Sequence, residues 1–132
     1  ASAELTEYAR HALLPFNTSD IALCAAAASI DDDEYNELQR KTVLNGRDYF
    51  ESAFADLDLQ AIPSQANFVA IVSPPLGSAR LTELLLQRGF IVRELTTFGM
   101  KNAVRVSVGT MEENMAFAQA LKLIFETEGV AA

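Results

Sequence analysis

The amino-acid sequence of 132 residues predicts a single α+β domain. In the first half of the chain, apolar residues recur at three- and four-residue spacing, which is typical of helices. After Leu59 the period changes, and short apolar runs alternate with helical segments. Half of the residues are hydrophobic, which is enough apolar mass for one core. No internal repeat or low-complexity linker indicates a second domain, so residues 1–132 are expected to form one domain.

Start and stop signals predict the bounds of five helices. Pro15 disfavours a helical conformation at the residue before it and should end the first helix. Asp31 and Glu34 have capping-box spacing at the start of a long third helix, and Gly89 is a good left-handed terminator for the fourth. Hydroxyl side chains mark three further helix starts: Ser2 should open the first helix, Ser19 or Thr18 should cap the second, and Ser78 should cap the fourth. The predicted helices cover approximately residues 2–14, 19–29, 31–57, 78–88 and 110–127.

Three strands are predicted in the second half, over residues 67–72, 90–93 and 104–108. In the last strand, strict alternation places three valines on one face and Arg105 with Ser107 on the other. We therefore expect the valines to contact the helices and Arg105 to face the opposite side. Residues 96–102, which include Gly99, are expected to form a loop.

Two helices carry apolar faces whose members can be predicted from the spacing. In the third helix, Gly46 costs helix propensity but should allow close approach to a neighbouring element. The expected face of the third helix contains Tyr35, Leu38, Thr42, Gly46, Tyr49, Phe50, Ala53 and Leu57. The expected, moderately apolar face of the last helix contains Met111, Met115, Leu121 and Phe125, with Ala118 and Lys122 between them.

Charge and composition exclude several classes of partner. Ten basic residues stand against eighteen acidic ones, so no basic surface for nucleic acid is expected. The longest apolar run, residues 21–30, is too short to cross a bilayer, and no secretory leader opens the chain, so no membrane partner is expected. The single cysteine, Cys24, suits a reducing compartment, and we expect a cytoplasmic location. Because the sequence begins with Ala1 rather than methionine, we expect a processed or cut N-terminus.

Few residues suggest catalysis. The one histidine, His11, is interpreted as solvated or packed, and Cys24 as a small buried hydrophobic residue. The acidic run at residues 31–34 is interpreted as a helix start rather than a metal site. No phosphate-binding loop or nucleophile elbow occurs. The sequence therefore predicts no catalytic residue and no metal site of its own.

Two arginines in strand positions require an explanation. Arg93 ends one predicted strand and Arg105 lies inside another, where an unpaired cation is unfavourable. One hypothesis is a salt bridge, for example from Arg93 to Glu94 or from Arg105 to Glu112. The other is recognition of a carboxylate or phosphate, which the guanidinium group binds through two parallel hydrogen bonds.

Four segments of the chain form a recognisable pattern. They are Pro15-Phe16-Asn17, Pro63-Ser64-Gln65-Ala66-Asn67-Phe68, Arg88-Gly89-Phe90-Ile91-Val92-Arg93, and Val104-Arg105-Val106-Ser107-Val108-Gly109-Thr110 with Glu112-Glu113-Asn114. In their order and approximate spacing, these segments resemble the C-terminal part of histidinol-phosphate aminotransferases, and the resemblance runs from about Leu5 to Phe125. These enzymes belong to the class I and II aminotransferases of fold type I, which depend on pyridoxal phosphate. Related phenylalanine-type aminotransferases and threonine-phosphate decarboxylases share much of the pattern.

The resemblance implies helices packed on one face of a small, mostly antiparallel or mixed sheet, as in the small domain of fold-type I enzymes. It also implies transamination between an L-amino acid, such as L-histidinol phosphate, and 2-oxoglutarate, with pyridoxal phosphate as the cofactor. By analogy, the substrate-binding residues are Arg105, which pairs with the substrate carboxylate, and Arg93, which faces its phosphate end. A homodimer is also implied.

In this family, the lysine that holds the cofactor lies in a large domain that precedes this region. None of Lys41, Lys101 and Lys122 has the family's sequence context, so the chain is expected to bind no cofactor alone and to be inactive. Its expected partner is the large domain of the same enzyme. The alternative is a free-standing module that binds a small anionic ligand without catalysis.

Overall fold

A computed structural model describes residues 2–13 and 17–130. The chain divides into two compact units, residues 1–37 and 38–132. The helices are α1 (Ala3–Ala12), α2 (Asp20–Ile30), α3 (Asp33–Ala55), α4 (Ser78–Gln87) and α5 (Met111–Glu128). The strands are β1 (Gln60–Ile62), β2 (Phe68–Val72), β3 (Arg93–Glu94) and β4 (Ala103–Ser107), and a short 3-10 helix covers Thr96–Phe98.

The first unit contains α1, α2 and the first turn of α3. Ser2 and Ser19 cap α1 and α2 by accepting backbone N–H groups, as the start signals predict. The side-chain amide of Asn36 donates to the carbonyls of Ser29 and Ile30, at 3.0 and 3.2 Å, and so joins the end of α2 to the start of α3. Neither α1 nor α2 contains a buried residue. Cys24 is exposed, so the prediction that it is buried is wrong.

The second unit contains an antiparallel sheet with the strand order β1-β2-β4-β3. Alternation along β2 and β4 directs Val69, Ile71, Val104 and Val106 into the core, as predicted for β4. The helices contribute Phe50, Phe54, Leu81, Leu85, Phe117, Leu121, Ile124 and Phe125 to the same core. Helices therefore cover one face of a small antiparallel sheet, and the predicted fold class is confirmed.

Gly46 allows α3 to approach the end of β4 closely. A Cβ atom at this position would overlap the Val108 side chain and lie 2.6 Å from the amide nitrogen of Asn114. The predicted close approach is thus confirmed. The elements that Gly46 meets are the segment that follows β4 and the first turns of α5.

Replacing Gly46 with alanine should lower the free energy of unfolding by about 1–2 kcal/mol, because overpacking outweighs the gain of up to about 1 kcal/mol in helix propensity. Urea denaturation measures this change. The control is Ser52→Ala, at an exposed position of the same helix. Equal or greater stability of Gly46→Ala would contradict the close contact.

Several predicted boundaries are wrong for local reasons. Asp32, rather than Asp31, caps α3, because its carboxylate accepts the backbone N–H of Tyr35 at 2.9 Å. Gly77 is the N-cap of α4, while Ser78 is the first helical residue. The predicted end of the first helix at Leu14 and Pro15, and the Phe16 part of the first motif, lie outside the described residues.

The predicted apolar faces are correct only in part. In α3, Tyr35 and Leu38 are exposed, and burial begins at Gly46. In α5, Met111 and Met115 are exposed, whereas Phe117 and Ile124 are buried. The helical period specifies which residues share a face of a helix but not which turns of that face are covered. Over residues 2–13 and 17–130, no helix has both the length and the apolar character that a membrane span requires.

Candidate anion-binding site

The two strand arginines are direct neighbours in the sheet. Arg93 of β3 and Arg105 of β4 are Cα partners in the antiparallel register. The core-facing residues of β4 are Val104 and Val106, so Arg105 projects from the opposite face, as predicted. Arg105 is half-buried and Arg93 is exposed. Like charges at directly opposed positions repel each other, so this pairing needs compensation.

Each guanidinium group lies over a phenylalanine ring. The guanidinium carbon of Arg105 is 5.1 Å from the centre of the Phe68 ring, and that of Arg93 is 5.5 Å from the centre of the Phe98 ring. Both distances are within the range of cation–π interactions. Phe68 is on β2, whereas Phe98 is in the 3-10 helix that follows β3.

Neither predicted salt bridge forms. Glu94 instead accepts hydrogen bonds from the hydroxyl groups of Ser78, at 2.8 Å, and Thr96, at 3.0 Å. Across the described segments, the ion pairs found involve neither Arg93 nor Arg105. The donors of both guanidinium groups are therefore available to an anion, since a phenyl ring has no oxygen or nitrogen acceptor.

The turn after β4 is held by a buried asparagine. The side chain of Asn114 is 2% exposed, accepts the Gly109 N–H at 2.9 Å and donates to the Gly109 carbonyl at 3.1 Å. Sequence reasoning placed Asn114 in a motif but gave it no role. The available signal was the position of Asn114 one turn after the Thr110 cap. From there, the Asn114 side chain can reach back to Gly109, the residue before the cap.

The predicted start of α5 at Thr110 is confirmed by a capping box. The Thr110 hydroxyl accepts the Glu113 N–H at 3.3 Å, and the Glu113 carboxylate accepts the Thr110 N–H at 2.8 Å. Two hydrogen bonds from Thr110 to the carboxylate lower the pKa of Glu113. The backbone N–H has the larger effect and the hydroxyl the smaller one. The cap and Asn114 together fix the chain directly after the strand that carries Arg105.

The other candidate residues do not join this site. The His11 ring is exposed, with Nδ1 2.8 Å from the Glu7 carbonyl. In the described ranges, no group of three acidic, histidine or cysteine residues could hold a metal ion. No residue of the four strands is a lysine. Lys101 lies between the 3-10 helix and β4, and Lys122 lies in α5.

Three comparisons relate the chain to known proteins. The family model for aminotransferase class I and II matches residues 1–121. The chain is 38% identical over 128 residues to the histidinol-phosphate aminotransferase of Bdellovibrio bacteriovorus, covering 94% of this chain and 34% of that protein. It is 40% identical over 112 residues to histidinol-phosphate aminotransferase 1 of Nitrosococcus oceani, covering 85% of this chain and 30% of that protein.

The fold has a counterpart among solved structures. The histidinol-phosphate aminotransferase of Clostridium acetobutylicum matches with a TM-score of 0.75 at 22% identity, over 94% of this chain and 38% of that one. The chain thus spans about a third of the length of these proteins. Because the family model covers nearly the whole sequence, the chain belongs to the aminotransferase class I and II family.

Proposed function

We propose that this chain is the C-terminal part of a pyridoxal-phosphate-dependent aminotransferase. The reaction transfers an amino group between an L-amino acid, such as L-histidinol phosphate, and 2-oxoglutarate. Support comes from the family match and from relatives that are themselves histidinol-phosphate aminotransferases. In this proposal, residues 1–132 form one small domain whose partner is a large cofactor-binding domain of the same enzyme.

The role of this chain is to recognise the anionic groups of the substrate. Arg105 pairs with the substrate carboxylate, and Arg93 faces the phosphate end. The observation that carries the proposal is the adjacent pair of guanidinium groups, neither of which meets a carboxylate within the described parts of the chain. A planar guanidinium group binds carboxylate or phosphate through two parallel hydrogen bonds.

In this proposal, the chain supplies no complete site for pyridoxal phosphate. That cofactor requires a lysine for its covalent attachment, and the strands that carry the arginine pair contain none. Lys41, Lys101 and Lys122 lie outside these strands. The proposal therefore assigns cofactor attachment to the large domain and substrate-anion binding to this chain.

The isolated 132-residue chain should form no site-specific lysine adduct with pyridoxal phosphate and should not transaminate. Borohydride treatment followed by peptide mass spectrometry measures the adduct. A full-length histidinol-phosphate aminotransferase is the positive control. Stoichiometric labelling of one lysine would show that this chain has its own cofactor site.

Steady-state kinetics of the full-length enzyme test the proposed substrate. The three amino donors to compare are histidinol phosphate, phenylalanine and aspartate. We expect the highest kcat/KM for histidinol phosphate, because only this donor offers a phosphate to Arg93. A preference for phenylalanine or aspartate would contradict the assignment of Arg93.

We further propose that the assembled enzyme is a cytoplasmic homodimer that binds neither nucleic acid nor membrane. The formal net charge of −8 opposes association with a phosphate backbone. Light scattering on the full-length enzyme measures the oligomeric state.

A free-standing module that binds a small anionic ligand without catalysis is the second candidate, because the adjacent guanidinium groups of Arg93 and Arg105 can bind an anion without any cofactor. The reading frame in the source genome separates the two candidates. A coding region that extends far upstream of Ala1 supports the enzyme, and a start codon directly before Ala1 supports the module.

A further inference from the structure

Among the described residues, each of the two guanidinium groups contacts an aromatic ring and neither pairs with a carboxylate. In the register of β2 and β4, Phe68 pairs with Ser107, and Ala70 pairs with Arg105. Phe68 therefore shares a sheet face with Arg105 and lies diagonally across from it, within reach of a long side chain. This placement accounts for the 5.1 Å contact between the Phe68 ring and the guanidinium group.

The ring that contacts Arg93 comes from a different element of the chain. The Arg93 guanidinium group lies over Phe98, which is in the 3-10 helix between β3 and β4. The αL conformation of Gly99, with φ 82°, ends this helix directly after Phe98. Phe98 is 62% exposed, so packing in the core does not account for where its ring lies.

Separate rings stabilise the two neighbouring cations. Arg93 and Arg105 are opposed across the β3–β4 pair. Arg105 lies over a ring from β2, whereas Arg93 lies over a ring from the connection after β3. A ring stabilises the positive charge without using hydrogen-bond donors. Each guanidinium group is thus held while its N–H groups stay available.

We propose that Phe68 and Phe98 are positioning residues that orient Arg105 and Arg93, respectively, for two separate anionic groups. This inference rests on the proposed function and deepens it, because it names what holds the two arginines ready for a ligand. The rings touch the arginines and act on the ligand only through them.

Side-chain NMR of the whole chain tests this arrangement. The Nε–H resonance of each arginine is assigned with Arg93→Lys and Arg105→Lys variants. Protons over an aromatic ring shift upfield, so the Arg105 resonance should move downfield in Phe68→Leu and stay unchanged in Phe98→Leu. The Arg93 resonance should show the converse. Phe68→Tyr keeps the ring and should preserve the Arg105 resonance.

Titration with inorganic phosphate then measures the consequence for binding. In Phe68→Leu, phosphate affinity reported by Arg105 should fall about two- to fivefold, the range expected for one exposed cation–π contact. The affinity reported by Arg93 should not change. A two-dimensional amide spectrum verifies that each variant is folded, and Phe68→Tyr provides the comparison if Phe68→Leu is unfolded.

Two outcomes separate this inference from the proposed function. If the phosphate affinity reported by the Arg105 resonance is equal in the unmodified chain and in Phe68→Leu, the positioning role is wrong while the anion site remains. If phosphate shifts neither arginine in the unmodified chain, the anion site itself is wrong and the positioning role fails with it.

Discussion

Replacing Arg105 with lysine in the full-length enzyme that contains this region should lower kcat/KM by about 10- to 1000-fold, equivalent to about 1.4–4 kcal/mol of transition-state stabilisation. Lysine keeps the positive charge but loses the planar pair of donors that fits a carboxylate. It also loses the flat group that lies over Phe68. We expect the fold and the cofactor spectrum to stay unchanged, because Arg105 projects away from the core.

One control variant and one comparison variant make the Arg105 result specific. Arg80→Lys replaces an exposed arginine that pairs with Glu83 and Glu128, and it should leave kcat/KM almost unchanged. Arg93→Lys should reduce the rate with phosphorylated donors more than with uncharged ones. Wild-type kinetics in Arg105→Lys would show that its guanidinium group does not bind the substrate.

Features that depend on local sequence could be predicted well. Alternation in β4 correctly placed Val104 and Val106 in the core and Arg105 on the other face, because the strand period is two residues. The start of α5 was also predictable, since Thr110 caps it through contacts within four residues. Such features are decided by neighbours along the chain, which the sequence displays directly.

The second predicted strand shows where local reasoning fails. Residues 90–93 read as a strand, yet pairing begins only at Arg93. The N–H of Phe90 donates to the Leu85 carbonyl at 2.9 Å, and the N–H of Gly89 donates to Leu86, so these groups complete the end of α4. Ile91 is 88% exposed, which an apolar pattern alone does not indicate.

The composition of the candidate site depended on pairings distant in sequence. Both arginines were identified from their positions in strands, but their direct opposition follows from the register of β3 and β4. The contact of Arg105 with Phe68 joins residues from two strands, and β1 was missed because it is a three-residue edge strand. Single-sequence patterns do not specify such pairings.

Removing the side chain of Asn114 should lower the free energy of unfolding by about 2–4 kcal/mol. In Asn114→Ala, the N–H and the carbonyl of Gly109 both lose their partner, and a group that is 2% exposed leaves a cavity beside Gly46. Urea denaturation curves of the whole chain measure this loss in the free energy of unfolding. Gln119→Ala, at an exposed position of the same helix, is the control and should change stability by no more than about 0.5 kcal/mol.

The Asn114→Asp variant tests the two hydrogen bonds separately from packing. An ionised aspartate keeps the acceptor for the Gly109 N–H but places negative charge against the Gly109 carbonyl in a buried position. Burial and the repulsion between the carboxylate and the Gly109 carbonyl raise the carboxyl pKa in the folded state and outweigh the N–H hydrogen bond, so the folded chain binds the extra proton more tightly than the unfolded chain. The variant should therefore gain stability relative to the unmodified chain as the pH falls through that raised pKa, because a protonated carboxyl can donate to the carbonyl as the amide does. A difference between Asn114→Asp and the unmodified chain that is independent of pH would contradict the two-bond contact with Gly109.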